Sequence, residues 1–267
     1  MRVVAVIFVL LAAGLASGQR GSSVHTAVSP LLERMSSHKW RDRSKAFEEA
    51  AELLVSRNPS PSDADRLRLG VIQLLVTENN DKVPAADEKE GEENSQYYSS
   101  LINFVAHLGD ERAIPALLGA ALTGGMATRG VARFGKKALD PTLGQINRGG
   151  PKLASGAVYV VQKMLEMHTI NDPDSHLRIK NALRSSLASP DSDVREAAVY
   201  AVEYLDDREE FVPMLKDLAE HDPGKVSGQP KWDGTIGDIY PVRELATKLL
   251  RKIANHEPPT IDQGPKD

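Results

Sequence analysis

The sequence predicts an all-α protein, an α-solenoid of about six antiparallel helical hairpins. Three observations carry that prediction. Apolar residues recur at three- and four-residue steps along most of the chain, which marks one face of a helix. No stretch alternates with the two-residue period of a half-buried strand. A short pattern, Arg-x-x-Ala, returns at 43–46, 129–132, 195–198 and 243–246. Copies spaced by a few tens of residues signal stacked repeats.

The stretch 187–216 shows one repeat junction whole. Pro190 ends the preceding helix, because it has no N–H to donate. Asp191, Ser192 and Asp193 supply oxygens that cap the next helix. Val194, Ala197, Ala198, Ala201, Val202 and Leu205 then form an apolar stripe. The alanines let neighbouring helices approach closely. After Asp206-Asp207 a second stripe follows through Phe211, Met214, Leu215 and Leu218.

The remaining elements follow in order. Arg2, the apolar run 3–16 and Ser17-Gly18 describe a secretory signal peptide over 1–18, cut after Gly18. The run is shorter than the about 20 residues of a membrane span. The start of a lipoprotein box at 15–18 lacks its cysteine, so no lipid anchor is expected. The mature chain is expected in the periplasm or outside the cell, with an uncleaved anchor as the alternative. The solenoid occupies 19–256. Helices are expected at 28–37 and 43–55, and from a Ser62 or Asp63 cap through Leu75. Residues 80–94 are acidic and read as a solvated loop; calcium binding there lacks the ligand spacing of an EF-hand. Further helices are expected at 97–108, 113–122, 126–139 and 140–146. The helix at 152–167 is apolar on most faces and should be deeply buried. Another is expected at 176–187. Residues 222–240, rich in Gly and Pro, read as a loop inserted between helices 209–220 and 241–253. Trp232 in that loop either folds back as a staple or is displayed to a partner. The tail 257–267, with three prolines, reads as disordered.

Composition narrows the chemistry. The 267 residues include no cysteine, which excludes disulfides, thiolate metal sites and thiol nucleophiles. Thirty-three basic residues stand against 37 acidic ones, a net charge of −4 that gives no reason to expect nucleic acid. The segment 130–137, GVARFGKK, matches part of a phosphate loop. It lacks the Ser or Thr after the Lys, and no strand precedes it. None of the seven histidines forms H-E-x-x-H, and no Ser–His–Asp set stands out. No catalytic, cofactor or metal site is nominated. The arginines of Arg-x-x-Ala are expected to pair with turn aspartates of a neighbouring repeat, with Asp110, Asp193 and Asp238 as candidates.

Residues 193–198, DVREAA, and 241–246, PVRELA, resemble the second helix of HEAT repeats. Residues 108–117, LGDERAIPAL, resemble the link into a HEAT first helix, of the short bacterial kind also found in phycobilisome-lyase-type repeats. The resemblance is good over 108–253 and weak before it. It implies an α-solenoid and a protein or peptide partner.

The candidate binding surface comes from the repeat register. Residues 157–161, AVYVV, match 198–202, AVYAV, at an offset of 41 residues. The residue five places after each motif arginine forms a column: Glu48, Asn103, Phe134, Tyr159, Tyr200 and Lys248. Second helices line the concave face of a solenoid. Phe134, Tyr159 and Tyr200 would then lie together beside Gln162, Glu196 and Glu203, or would fill space between helices. Aromatic residues with a polar tip are common anchors of binding surfaces. These six residues and Trp232 form the candidate partner-binding set. The expected function is an exported, non-catalytic, monomeric protein-binding scaffold. The alternatives are an envelope structural or assembly factor without a discrete site, and a lyase-like chromophore binder.

Overall fold

The computed structural model describes residues 28–57, 59–80, 87–122, 125–230 and 236–260. The signal peptide at 1–18, residues 81–86 of the acidic stretch, Trp232 and the tail beyond residue 260 lie outside the described residues. The chain divides into two compact units, one up to Leu117 and one from Leu118 onward.

The first unit holds α1 (Val28–Met35), α2 (Trp40–Ser56), α3 (Pro61–Asn80) and α4 (Glu88–His107), followed by a 3₁₀ turn at Glu111–Ala113. Its core joins Ala46, Phe47 and Ala50 of α2 to Leu67, Val71, Leu74 and Leu75 of α3, with Leu101, Ile102 and Val105 from α4. Here the acidic stretch differs from its expected form. It contributes the first turns of α4 instead of a loop through residue 94. The Asp87 carboxylate accepts from the Glu90 N–H at 2.8 Å and caps the helix. Trp40 Nε1 donates to Glu90 at 3.1 Å, and Arg41 lies 3.4 Å from Glu90 and 3.5 Å from Glu93. Acidic residues in a first helical turn also suit the helix dipole.

The second unit is built from hairpins. After α5 (Ile114–Gly119) come α6 (Gly125–Ala132), α7 (Lys136–Arg148), α8 (Pro151–Glu166), α9 (Pro173–Leu187), α10 (Ser192–Val202), α11 (Val212–His221) and α12 (Pro241–Ala254). The pairs α7/α8, α9/α10 and α11/α12 each pack together. Their second helices lie side by side in the order α8, α10, α12. The α10 cap is Asp191, whose carboxylate accepts from the N–H groups of Asp193 and Val194. Helix α8 buries nine residues. It ends in a left-handed residue, His168 (φ 50°), with the Thr169 N–H reaching back to Met164 O at 3.0 Å. His256 (φ 55°) closes α12 the same way, with Glu257 N–H on Lys252 O at 2.9 Å.

Three local expectations change in this unit. The helix expected at 126–139 breaks at Gly135, whose φ of 53° suits glycine alone. Helix α7 then runs unbroken through Pro141, which costs it a single N–H donor. The loop at 222–240 contains a two-stranded antiparallel hairpin, β1 (Val226–Pro230) with β2 (Ile236–Ile239). A bulge between Val226 and Gln229, at Gly228 (φ 71°), breaks the two-residue alternation that would have announced it. The tail is anchored as far as Thr260: its N–H donates to Glu203 at 2.7 Å and its carbonyl accepts from the Tyr204 hydroxyl at 2.6 Å.

The motif arginines also find other partners. Arg43 pairs with Glu78 at 2.6 Å and Arg195 with Asp222 at 2.5 Å, both pairs buried. Arg243 donates to Asp222 O at 2.6 Å and covers the Tyr240 ring. Among the described residues Arg129 has no carboxylate partner. Asp110 is taken by Arg112 and Asp238 by Lys225. Turn position alone did not reveal which carboxylate faces each arginine.

Candidate functional site

Helices α8 and α10 make the most extensive helix–helix contact in the second unit. Small buried side chains suit it: Ala154 and Ala157 on α8, and Ala197, Ala198 and Ala201 on α10; Gly156 instead turns to Ala121 and Leu122. Tyr159 follows buried Val158 and precedes buried Val160; Tyr200 sits likewise between Val199 and Ala201. Each ring therefore leaves its helix at the margin of the apolar stripe. Tyr159 is half-buried, and Tyr200 is 36% exposed. The rings meet at a centroid distance of 6.5 Å and an angle of 38°. Two residues 41 apart in sequence, at matching repeat positions, thus form one aromatic step on the surface.

Carboxylates surround this step. Glu196, half-buried, lies one turn before Tyr200 on α10, with exposed Asp193 a further turn back. Burial and the neighbouring Asp193 raise the Glu196 carboxyl above the usual carboxylate range. The Tyr159 hydroxyl is pushed up to about 12 by burial, with Glu196, Tyr200 and Asp193 adding to it. Tyr200 is raised by burial, Glu196 and Glu203. Among the described residues neither tyrosine hydroxyl nor the Glu196 carboxylate has a hydrogen-bond partner.

The other candidates are placed differently. Gln162 is half-buried one turn beyond Tyr159 on α8. Glu203 is buried and committed: it accepts from Lys252 Nζ at 2.6 Å and from the Thr260 N–H. Phe134 lies in the turn between α6 and α7, where its N–H donates to Val131 O, and among the described residues no ring contact joins it to the tyrosine pair. Trp232 is outside the described residues. The tail anchor around Glu203 carried no sequence signal, since its partners lie about fifty residues downstream.

Surface clefts lie elsewhere. One of about 400 Å³ runs between α1 and α3, lined by Leu32, Met35, Leu69 and Leu74 among others. Another, about 300 Å³, lies between α9 and α11 at Leu187, Pro213, Met214 and Leu218. Neither touches the tyrosines. Among the described residues no group of three or more His, Asp or Glu is placed to hold a metal ion. Nor, among them, is any helix long and apolar enough to cross a membrane.

No protein-family model matches the chain, and no curated protein matches it. Solved structures of designed armadillo repeat proteins for modular peptide recognition are similar at 13% identity and a TM-score of 0.37. That similarity covers 84% of this chain and 98% of theirs. The designed armadillo repeat protein YIII(Dq)4CqI is similar at 14% identity and a TM-score of 0.36, with the same coverage.

Proposed function

We propose that this chain is an exported, non-catalytic protein-binding scaffold of the HEAT-like kind, which holds its partner on the exposed face of α8 and α10. One observation carries the reading. Tyr159 and Tyr200 occupy equivalent positions of adjacent repeats, touch each other, and leave their polar tips without a partner among the described residues. Aromatic side chains with an exposed polar tip bury large area on binding at little entropic cost. Export rests on Arg2, the apolar run 3–16 and the small residues before Gln19. The mature protein then acts in the periplasm or outside the cell, as a monomer.

Two measurements test this. Intact-mass analysis of the native protein should give a chain beginning at Gln19; a mass retaining residues 1–18 would overturn export. A photo-crosslinking amino acid replaces Tyr200 in one variant and Leu177 in another. Leu177 is a 54% exposed side chain on α9. In native cells a discrete adduct should form from position 200 and not from 177. No adduct at 200 would overturn the binding face.

A further inference from the structure

The face of α8 and α10 has a chemical bias that defines what it binds; this inference rests on the scaffold reading above. Among the described residues three other rings are covered by the chain's own arginines. The guanidinium carbon of Arg41 lies 5.2 Å from the Trp40 centroid, Arg184 5.3 Å from Phe211, and Arg243 4.3 Å from Tyr240. Among the described residues no cation covers Tyr159 or Tyr200.

The carboxylates repeat that asymmetry. Glu203, at one end of the α10 stripe, is neutralised by Lys252. Glu196, at its centre, has no cation partner among the described residues, and neither has Asp193. On α8 the nearby ammonium of Lys163 is held by Glu166 at 2.5 Å. Partial burial of an unpaired carboxylate costs free energy, which a cation brought to it would recover. The raised Glu196 carboxyl agrees with that cost.

We propose that this face binds an arginine side chain of an extended basic segment in a partner protein, stacked on the Tyr159–Tyr200 step and forked onto the Glu196 carboxylate. Arginine fits better than lysine. Its guanidinium is planar, weakly hydrated, stacks on aromatic faces and donates two parallel hydrogen bonds to one carboxylate. The chain already uses the same geometry internally, in the Arg43–Glu78 and Arg195–Asp222 forks.

The test uses the mature protein and three blocked peptides of alternating serine with arginine, lysine or glutamine, followed by backbone amide NMR. The arginine peptide should shift amides around Tyr159 and over 193–203, the lysine peptide should bind more weakly, and the glutamine peptide should not bind. Glu196→Gln should weaken arginine-peptide binding about tenfold, the worth of a charge-assisted hydrogen bond. The same variant should melt at or above the wild-type temperature, so a folding defect cannot mimic the loss. Equal binding of the glutamine peptide, unchanged affinity in Glu196→Gln, or no shift with any peptide at millimolar concentration would overturn the proposal. So would concentration-dependent self-association that Glu196→Gln abolishes, because the occupant would then be a second copy. A Tyr200 adduct in native cells that persists in Glu196→Gln and in high salt would keep the scaffold and remove the arginine. Loss of any Tyr200 adduct would remove the scaffold reading itself.

Discussion

Arg195 closes on Asp222 as a buried fork, with Nε donating to Oδ2 at 2.5 Å and Nη2 to Oδ1 at 3.0 Å. Its Nη1 donates to Ser189 O at 2.8 Å, six residues earlier. Arg43 repeats every part of this in the first unit: Nε and Nη2 on Glu78 at 2.6 and 3.1 Å, and Nη1 on Ser37 O at 2.9 Å, again six residues earlier. In both places the serine hydroxyl accepts from the N–H two residues on, that of Lys39 or Asp191. In these two copies the motif arginine therefore ties the turn before its own helix to the end of a later one. It is a structural clamp there, marked by Ser-x₅-Arg-x-x-Ala, which the copies at Arg129 and Arg243 lack.

Removing one half of the clamp should be costly. Arg195→Leu or Asp222→Ala should each destabilise by about 3–5 kcal/mol, because either leaves a buried charge unpaired. Replacing both together with apolar residues should cost clearly less than the sum. Urea denaturation of the three variants checks this; additive losses would show that the two residues act independently.

Gly135 should resist substitution. Its φ of 53° disfavours any side chain, and a Cβ there would meet Thr169 O at 2.9 Å. Gly135→Ala should cost on the order of 1–3 kcal/mol, the scale of strain at such backbone positions. A thermal melt within one degree of wild type would mean that the α6–α7 turn relaxes freely.

What was legible in the sequence was local. The stripes of α8, α10 and α12, the Asp191 cap and the Pro190 break depend on neighbours within a turn or two, and all were readable. The Tyr159–Tyr200 contact was readable too, because the 41-residue repeat offset places both at one height on adjacent helices. What stayed hidden was set by distant partners. The first turns of α4 look like a loop in isolation and are held by Trp40 and Arg41, about fifty residues away. Glu78 and Asp222 sit in the folded chain where their arginines can reach them, while Asp193 was only close in sequence. Phe134 joined the tyrosine column on spacing alone, and the Gly135 break puts it in a turn.

The anchored tail should respond to acid. Burial pushes the Glu203 carboxyl up, but the Lys252 ammonium and the Thr260 N–H and hydroxyl outweigh that and hold it below its usual range. A carboxylate whose folded pKa is lowered stabilises above its unfolded pKa of about 4.3 and loses that contribution as pH falls through the folded value. The Thr260 amide should therefore keep its hydrogen-bonded NMR shift at neutral pH and lose it in an acid titration below about 4. Glu203→Gln should abolish the pH dependence. A Thr260 shift that is flat from neutral to strongly acidic pH would mean that Tyr204 and Arg208, which donate to Thr260 O and Glu257 O, hold the tail alone.

The two tyrosines should separate in their effect on stability. Tyr200 is the more exposed, so Tyr200→Ala should cost under about 1 kcal/mol, as at an ordinary surface position. Tyr159 is half-buried, on a helix that buries nine residues, so Tyr159→Ala should cost more, in the range of about 1–3 kcal/mol. A fully buried aromatic would instead cost about 3–5 kcal/mol at both positions. Chemical denaturation of the two alanine variants, with Tyr159→Phe as the control for the hydroxyl, measures the difference. Tyr159→Phe should match wild type in stability, because among the described residues that hydroxyl has no hydrogen-bond partner to lose. Losses of 3 kcal/mol or more at both positions would mean that the rings are core side chains, and the face of α8 and α10 would then have no aromatic anchor to offer a partner.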